Sequence, residues 1–170
     1  MSSAVTVRPA RPEDVPAVVA MVHELAEFER AAAQCHLTRE QLHTALSGPA
    51  PALFGHVAVG PDDVPLGFAL WFLSFSTWEG VHGIFLEDLY VRPQARGSGA
   101  GRALVATLAA LCLQRGYQRL EWAVLTWNPA LDFYAALGAV VMHEWSPHRL
   151  SGAALVKLAE RAAHSSPGNR

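Results

Sequence analysis

The chain has 170 residues, of which 51% are hydrophobic and 16% are charged. This composition is typical of a globular protein with a sizeable core, and it excludes a disordered chain. The formal net charge of −2 argues against nucleic acid as the main partner.

Apolar periodicity and turn residues predict an alternation of strands and helices. The predicted elements are, in chain order, a strand at residues 5–9, helices at 12–30 and 38–47, strands at 53–59, 66–75 and 85–91, a helix at 102–115, a strand at 120–125, a helix at 128–137 and a strand at 140–145. Residues 150–158 fit either a strand or a helix. This order implies one mixed sheet with helices on its faces. We expect a single domain over residues 1–163 and a flexible tail over 164–170.

The stretch from residue 85 to residue 102 indicates a ligand site. Pro93 ends its strand because proline lacks an amide hydrogen. Gly97, Gly99 and Gly101 then allow a tight turn and a close approach of the backbone to a ligand. A helix that starts directly after such a loop presents free amide donors and a positive dipole end, which together favour a phosphate or pyrophosphate.

Three interpretations of the glycine loop compete on these residues alone. A dinucleotide fingerprint fails because its last glycine position is Arg102, and a P-loop fails because the loop contains no lysine. A glycine-rich connection without a ligand remains open.

The residues that flank the glycines carry a more specific pattern. Residues 96–101 fit Arg/Gln-x-x-Gly-x-Gly/Ala and follow a strand that ends Leu-Tyr-Val-Arg-Pro. The segment 127–134, Trp-Asn-Pro-Ala-Leu-Asp-Phe-Tyr, follows at a matching distance. Together these segments resemble the GNAT acetyltransferase superfamily. Within it, the chain is most similar to the spermidine/spermine and thialysine acetyltransferase group, through residues 23–29, 37–38, 78–80, 86–91 and 127–128.

The resemblance covers about residues 5–158 and implies a fold and an activity. The fold is a GNAT-like α/β fold, with a central, mostly antiparallel twisted sheet of about six or seven strands and about four helices. The implied enzyme is a homodimeric N-acetyltransferase that transfers the acetyl group of acetyl-CoA to a primary amine by direct attack in a ternary complex. The implied acceptor is a small molecule, either a diamine or polyamine or a thialysine-like amino acid.

Two alternatives to this function remain open. One is a GNAT enzyme for a different acceptor, such as an amino-acid amine, an aminoglycoside or a protein lysine. The other is a non-catalytic acetyl-CoA-binding module.

The resemblance also implies a donor site and a proton donor. Backbone amides and two arginines would hold acetyl-CoA, and an asparagine would bond its pantetheine arm. These residues are Leu89, Tyr90, Val91, Arg96, Gly97, Ser98, Gly99, Ala100, Gly101, Arg102 and Asn128. Tyr134 is the implied catalytic acid, because a phenol with a pKa of ~10 stays protonated at neutral pH and can donate to a departing thiolate.

The acceptor amine requires a proton acceptor, and Glu87 is the best candidate, either directly or through water. It interrupts an otherwise apolar strand end. Asp88 points to the opposite face if the strand is regular, whereas a bulge would let both carboxylates face the cleft.

By resemblance, Phe28, Glu29, Trp78, Glu87 and Asp88 line the acceptor site. The polyamine enzymes carry an acid two residues before this tryptophan. This chain has Ser76 at that position. The change weakens the case for a polyamine and leaves thialysine, lysine-like amino acids and short diamines open.

Metal binding and membrane insertion are not expected. The two cysteines, Cys35 and Cys112, lack metal-ligand spacing, which favours reduced thiols in a cytoplasmic protein. His143 and His148 likewise match no closed metal site. No basic segment followed by a long apolar run indicates a signal peptide or a membrane span.

Overall fold

The computed structural model describes residues 5–165, with side chains described over residues 5–162. The described residues fall into two compact units, one that ends at Leu131 and one that begins at Asp132. The elements are β1 (Thr6–Pro9), α1 (Val15–Phe28), α2 (Arg39–Ser47), β2 (Phe54–Val59), β3 (Pro65–Ser76), β4 (Val81–Val91), α3 (Ala100–Gln114), β5 (Leu120–Trp122), α4 (Ala130–Ala136) and α5 (Gly152–Ser165). Short 3₁₀ turns precede α1, α2 and α3.

A five-stranded sheet in the order β1-β2-β3-β4-β5 forms the centre of the first unit. Its first three pairings are antiparallel, and the pairing of β4 with β5 is parallel. The sheet is therefore mixed, as predicted. The predicted number of strands is wrong for residues 5–165, which contain five strands and not six or seven. The same residues form five α-helices where about four were expected.

The missing strands belong to the last third of the sequence. Strand β5 ends at Trp122, although the sequence predicts a strand to residue 125, and residues 139–151 form neither strand nor helix. Val140 is 82% exposed. Its β-branched side chain favours a strand only where a pleated, half-buried surface is available, and no strand of the described residues pairs with this segment. The ambiguous residues 150–158 lie mostly in helix α5.

The core of the first unit lies on both faces of the sheet. We call the face that packs against α1 and α2 the α1 face; its buried residues are Val15, Val18, Val19, Met21, Leu42, Val57, Val59, Phe68, Leu70 and Tyr90. We call the opposite face the α3 face; its buried residues are Ala58, Ala69, Trp71, Ile84, Leu86, Ala100, Leu104, Leu108 and Cys112. Each fully buried aliphatic or phenylalanine side chain contributes about 1.5–3 kcal/mol.

Several helix ends form as the sequence predicts. The Thr38 hydroxyl accepts the Gln41 amide at 3.2 Å, and the Gln41 side-chain oxygen accepts the Thr38 amide at 2.9 Å. This pair confirms the capping box of α2. Gly116 follows α3 with a φ of 69°, and Gly138 follows α4 with a φ of 88°. Both glycines adopt the left-handed conformation that commonly ends a helix.

A buried carboxylate joins β1 to the start of α1. Both terminal nitrogens of Arg8 donate to Asp14, at 2.7 and 3.0 Å, and the Arg11 amide donates to it at 2.7 Å. Burial raises the pKa of Asp14, but these hydrogen bonds outweigh burial and hold the pKa below its ordinary value. Arg8 also donates to Asp63 in the turn between β2 and β3, at 2.8 Å.

We predict that Asp14→Ala lowers the free energy of unfolding by about 3–5 kcal/mol, because it leaves a partly buried guanidinium without its main partner. Urea unfolding followed by circular dichroism measures this change. Arg11→Ala is the matched control. It removes an exposed guanidinium whose ion pair is with the exposed Asp63, and it keeps the backbone donor to Asp14, so the urea midpoint should move far less than in Asp14→Ala. Similar midpoints for the two variants would contradict the prediction.

Candidate active site

Strand β4 contains a β-bulge at Glu87. Leu86 pairs with Trp71 of β3, and Asp88 pairs with the preceding residue of β3, Leu70. Glu87 is therefore an extra residue on β4 that has no partner of its own on β3. Such an insertion shifts the alternation of side chains along the strand by one residue.

The bulge decides which side chains of β4 point toward α1. Leu86 lies on the α3 face, and unbroken alternation would place Asp88 and Tyr90 there as well. Instead, Tyr90 packs in the core of the α1 face, while Leu89 and Val91 pack on the α3 face. Asp88 shares the parity of Tyr90, so its carboxylate points to the side of the sheet that α1 covers.

The carboxylate of Asp88 lies within the electrostatic influence of two other carboxylates, those of Glu87 and Glu29. Burial, together with the negative charges of Glu87 and Glu29, raises the pKa of Asp88 to about 6. Burial also raises the pKa of Glu29. Glu87 itself is exposed. Asp88 therefore changes its protonation state close to neutral pH, which suits a group that exchanges protons with a substrate.

Beyond the bulge, no strand within residues 5–165 pairs with one edge of β4. Strand β5 pairs with β4 only as far as Leu86. On the other edge, the Arg92 amide donates to the Leu66 carbonyl of β3 at 2.9 Å. Because amide directions alternate along a strand, the N–H groups of Leu89 and Val91 point to the side where β5 has ended. These two amides are available to a ligand that lies along the open edge.

The glycine loop leads from this open edge into α3. Gly97 and Gly99 have φ values of 79° and 88°, which favour glycine. A β-carbon at either position would have no atom within 4 Å, so open space lies next to the loop. The amides of Gly101 and Arg102 are in the first turn of α3 and lack intrahelical acceptors. The loop therefore fits an anionic group at the helix N-terminus.

The side chain of Arg96 turns toward α1. Its Nε donates to the Val91 carbonyl at 3.1 Å. Its guanidinium carbon lies 5.6 Å from the ring centre of Phe28 and 5.7 Å from that of Tyr90. The sequence predicts phosphate contacts for both Arg96 and Arg102. Arg96 packs on aromatic rings beside α1, whereas Arg102 is exposed at the start of α3.

Aromatic rings lie where α1 ends. Phe28 is 37% exposed, and its ring centre lies 6.1 Å from that of Trp127 in the loop after β5. The guanidinium carbon of Arg30 lies 5.3 Å above the Trp127 ring. The side-chain oxygen of Asn128, the next residue, accepts the Ala130 amide at 2.9 Å. The sequence alone suggests no role for the side chains of Arg30 and Trp127, although Trp127 belongs to the segment 127–134 that resembles the GNAT family.

Trp78 lies far along the β3–β4 hairpin from the carboxylates. It is 94% exposed in the turn, next to the final pair of Ser76 with Val81. Asp88 is seven positions after Val81, which corresponds to about 20 Å along the strand. The Ser76 hydroxyl accepts the Glu79 amide at 3.2 Å and so supports the turn. Within one chain, the structure does not bring Trp78 to the other predicted acceptor residues.

Tyr134 lies on α4, in the second unit. Its ring centre is 5.1 Å from that of Phe133, with the ring planes at 62°. The carbonyl of Tyr134 accepts the amides of Leu137 and Ala139 where the helix ends. The side chain is half-buried.

Two further findings concern metals and membranes. No group of three or more histidine, cysteine, aspartate or glutamate side chains in the described part of the chain could hold a metal ion. None of the helices described is both long enough and apolar enough to cross a membrane.

A sequence profile of the Acetyltransferase (GNAT) family matches residues 18–139, which include the bulge, the open edge, the glycine loop and Tyr134. The chain belongs to the GNAT acetyltransferase family. It is accordingly an acyltransferase. GNAT acetyltransferases use acetyl-CoA as the co-substrate, and the glycine loop described above fits a group with phosphates.

Named relatives support the resemblance to the thialysine acetyltransferase group. The chain is 38% identical over 160 residues to thialysine N-epsilon-acetyltransferase of Caenorhabditis elegans, with 92% of this chain and 96% of the relative covered. It is 34% identical over 166 residues to the Bos taurus protein of the same name, with 91% and 97% covered. An integron cassette protein from the V. cholerae mobile metagenome has a similar structure, with a TM-score of 0.76, 28% identity and coverage of 94% and 99%.

We predict that Asp88→Asn stabilises the protein at pH 7 by about 1–2 kcal/mol, after allowance for its partial exposure. The folded-state pKa of about 6 lies above the ordinary value of 3.8. The ionised form therefore opposes folding above pH 6, and this penalty fades as the pH falls toward 4.

Urea midpoints of wild type and variant at several pH values test this expectation. Their difference should be largest at pH 7 and shrink toward pH 4. Glu27→Gln, at an exposed position of α1, is the control and should show no such trend. A variant that is less stable than wild type at pH 7 would contradict the assigned pKa.

Proposed function

We propose that the protein transfers the acetyl group of acetyl-CoA to a primary amine of a small molecule, either a diamine or polyamine or a thialysine-like amino acid, by direct attack in a ternary complex. The observation that carries this proposal is the bulge in β4. It combines a carboxylate of raised pKa on the α1 side with an open strand edge and the glycine loop. The donor can therefore bind along the open edge and the glycine loop, while the amine binds beside the carboxylate on the α1 side of the same strand.

Backbone groups would hold the donor. When bound, acetyl-CoA supplies a reactive thioester and a pyrophosphate. The amides of residues 97–102 suit the pyrophosphate, and the Arg102 side chain adds positive charge. The N–H groups of Leu89 and Val91 face the open edge, where one of them can polarise a carbonyl. Tyr90 would contribute through its backbone alone, because its side chain lies in the core of the α1 face.

The two acids of the bulge, Asp88 and Glu87, would have different roles toward the amine. A primary ammonium with a pKa of ~10 must lose a proton before it can attack, which costs roughly 4 kcal/mol at pH 7. We propose that Asp88 accepts this proton, because its pKa of about 6 is closer to neutrality than that of an ordinary carboxyl. Glu87, which the sequence favours as the base, is more exposed and would act through water or bind the ammonium. Tyr134 would donate a proton to the departing thiolate.

The remaining acceptor residues suit a compact cationic substrate. Phe28 offers an aromatic face, and Glu29 offers a half-buried carboxylate. Trp78 would serve an acceptor only in a homodimer, in which the hairpin turn of one copy reaches the site of the other. The resemblance implies such a homodimer, and the position of Trp78 in one chain is consistent with it.

A CoA-release assay with a panel of amines tests the proposed function. We expect thiol release with at least one small primary amine, and a loss of about 10²–10⁴-fold in kcat for Tyr134→Phe. Tyr117→Phe is the matched control and should keep wild-type activity. Saturating acetyl-CoA should also stabilise the fold, by ~2.7 kcal/mol at 100 times its Kd. Stabilisation without turnover on any amine would favour a non-catalytic module, and no stabilisation would reject acetyl-CoA as the donor.

A pH profile distinguishes the two acids. We expect kcat/KM of the wild-type protein to fall as the pH drops below about 6, because Asp88 becomes protonated there. Asp88→Asn should remove this acid limb and lower kcat/KM about 10²–10⁴-fold. Glu87→Gln, the neighbouring substitution, should keep the limb. If Glu87→Gln removes the limb and Asp88→Asn keeps it, the assignment of the base to Asp88 is wrong.

A further inference from the structure

Helix α1 ends with an arginine at a position that usually holds glycine. The Ala31 amide donates to the Ala26 carbonyl at 2.8 Å, and the Arg30 amide donates to the Glu27 carbonyl at 3.0 Å. These are the two hydrogen bonds of a Schellman motif, in which the residue after the helix cap is left-handed. Arg30 has a φ of 59°, which strains any residue with a β-carbon. A strained residue that persists is a reason to look for a function of its side chain.

Among the side chains of residues 5–162, that of Arg30 contacts an aromatic ring and forms no ion pair with an acid. Its guanidinium carbon lies 5.3 Å above Trp127, and Trp127 in turn contacts Phe28. None of the ion pairs among residues 5–162 involves Arg30. A guanidinium over an aromatic face keeps N–H donors at its edge, which match a planar carboxylate.

The consecutive residues Glu29 and Arg30, at the end of α1, carry opposite charges. Glu29 is half-buried, and its charge acts on Asp88 across the sheet face. Arg30, the next residue, directs its charge over Trp127 instead. A diamine or polyamine carries only positive charges and gains nothing from this guanidinium. An amino acid with a side-chain amine carries both an ammonium for the acids and a carboxylate for the arginine.

We infer that Arg30 is a specificity-determining residue that binds the α-carboxylate of a diamino-acid acceptor, whose distal amine lies at the carboxylates of Glu29, Glu87 and Asp88. This inference rests on the proposed function and narrows it. The acceptor is then an amino acid with an amine at the end of its side chain, and simple diamines are poor substrates.

Two acceptors that differ only by the carboxylate test this role: L-thialysine and its decarboxylated counterpart, bis(2-aminoethyl) sulfide. Arg30→Gly removes the guanidinium and suits the left-handed backbone, so the variant should fold. We expect it to lower kcat/KM for L-thialysine about 10–100-fold, mainly by raising KM, because a charge-assisted hydrogen bond to the carboxylate is lost. The value of kcat/KM for the sulfide should change less than about threefold, because the sulfide has no carboxylate.

Two more variants complete the test. Arg30→Lys keeps the charge and should retain kcat/KM for L-thialysine within about tenfold of wild type. Arg39→Ala, at an exposed arginine of α2, should change neither acceptor.

The following results would contradict the inference, and each would do so for a different reason. An equal loss for both acceptors in Arg30→Gly would make Arg30 a structural residue, and no loss for L-thialysine would remove it from the site. A wild-type protein that acetylates the sulfide as well as L-thialysine would also reject the inference, while the proposed function would stand. If the wild-type protein acetylates neither these acceptors nor any other amine, the proposed function fails and the inference falls with it.

Discussion

The one-residue bulge in β4 is the constraint on which the candidate site depends. Because side chains alternate along a strand, a single inserted residue reverses the face of everything that follows it. Without the insertion at Glu87, Asp88 and Tyr90 would point toward α3, and the amides of Leu89 and Val91 would point toward β3. The same insertion therefore turns an acid toward the end of α1 and two donors toward the open edge.

The local signals in the sequence predicted the local structure well. The Thr38 capping box, the glycines that end α3 and α4, and the glycine loop before α3 all depend on residues close together in the chain. Residues 140–145 were predicted as a strand for the same kind of reason, and the prediction was wrong. A strand forms only where its backbone groups pair with those of a neighbouring strand, and no local pattern reveals whether that pairing takes place.

In the candidate site, too, the sequence predicts the features that depend on neighbouring residues and misses those that depend on residues remote in the chain. The pair of acids at residues 87–88 is visible in the sequence, but the raised pKa of Asp88 depends on burial and on Glu29, which is remote in the chain. The direction of Arg96, toward the Val91 carbonyl and two aromatic rings, also depends on α1. Arg30 had one sequence signal, since α1 ends without the glycine that its left-handed turn favours.

The early end of β5 has a consequence for the protein before any ligand arrives. The unpaired edge of β4 is a template on which a strand of another molecule could add, which is a route to aggregation. Here the unpaired stretch is only about five residues long, with the charges of the bulge at one end and Pro93 just beyond the other. Charge, brevity and proline are the devices that keep natural sheet edges from pairing with each other. The features that open β4 to a small ligand thus also discourage a whole strand from binding there.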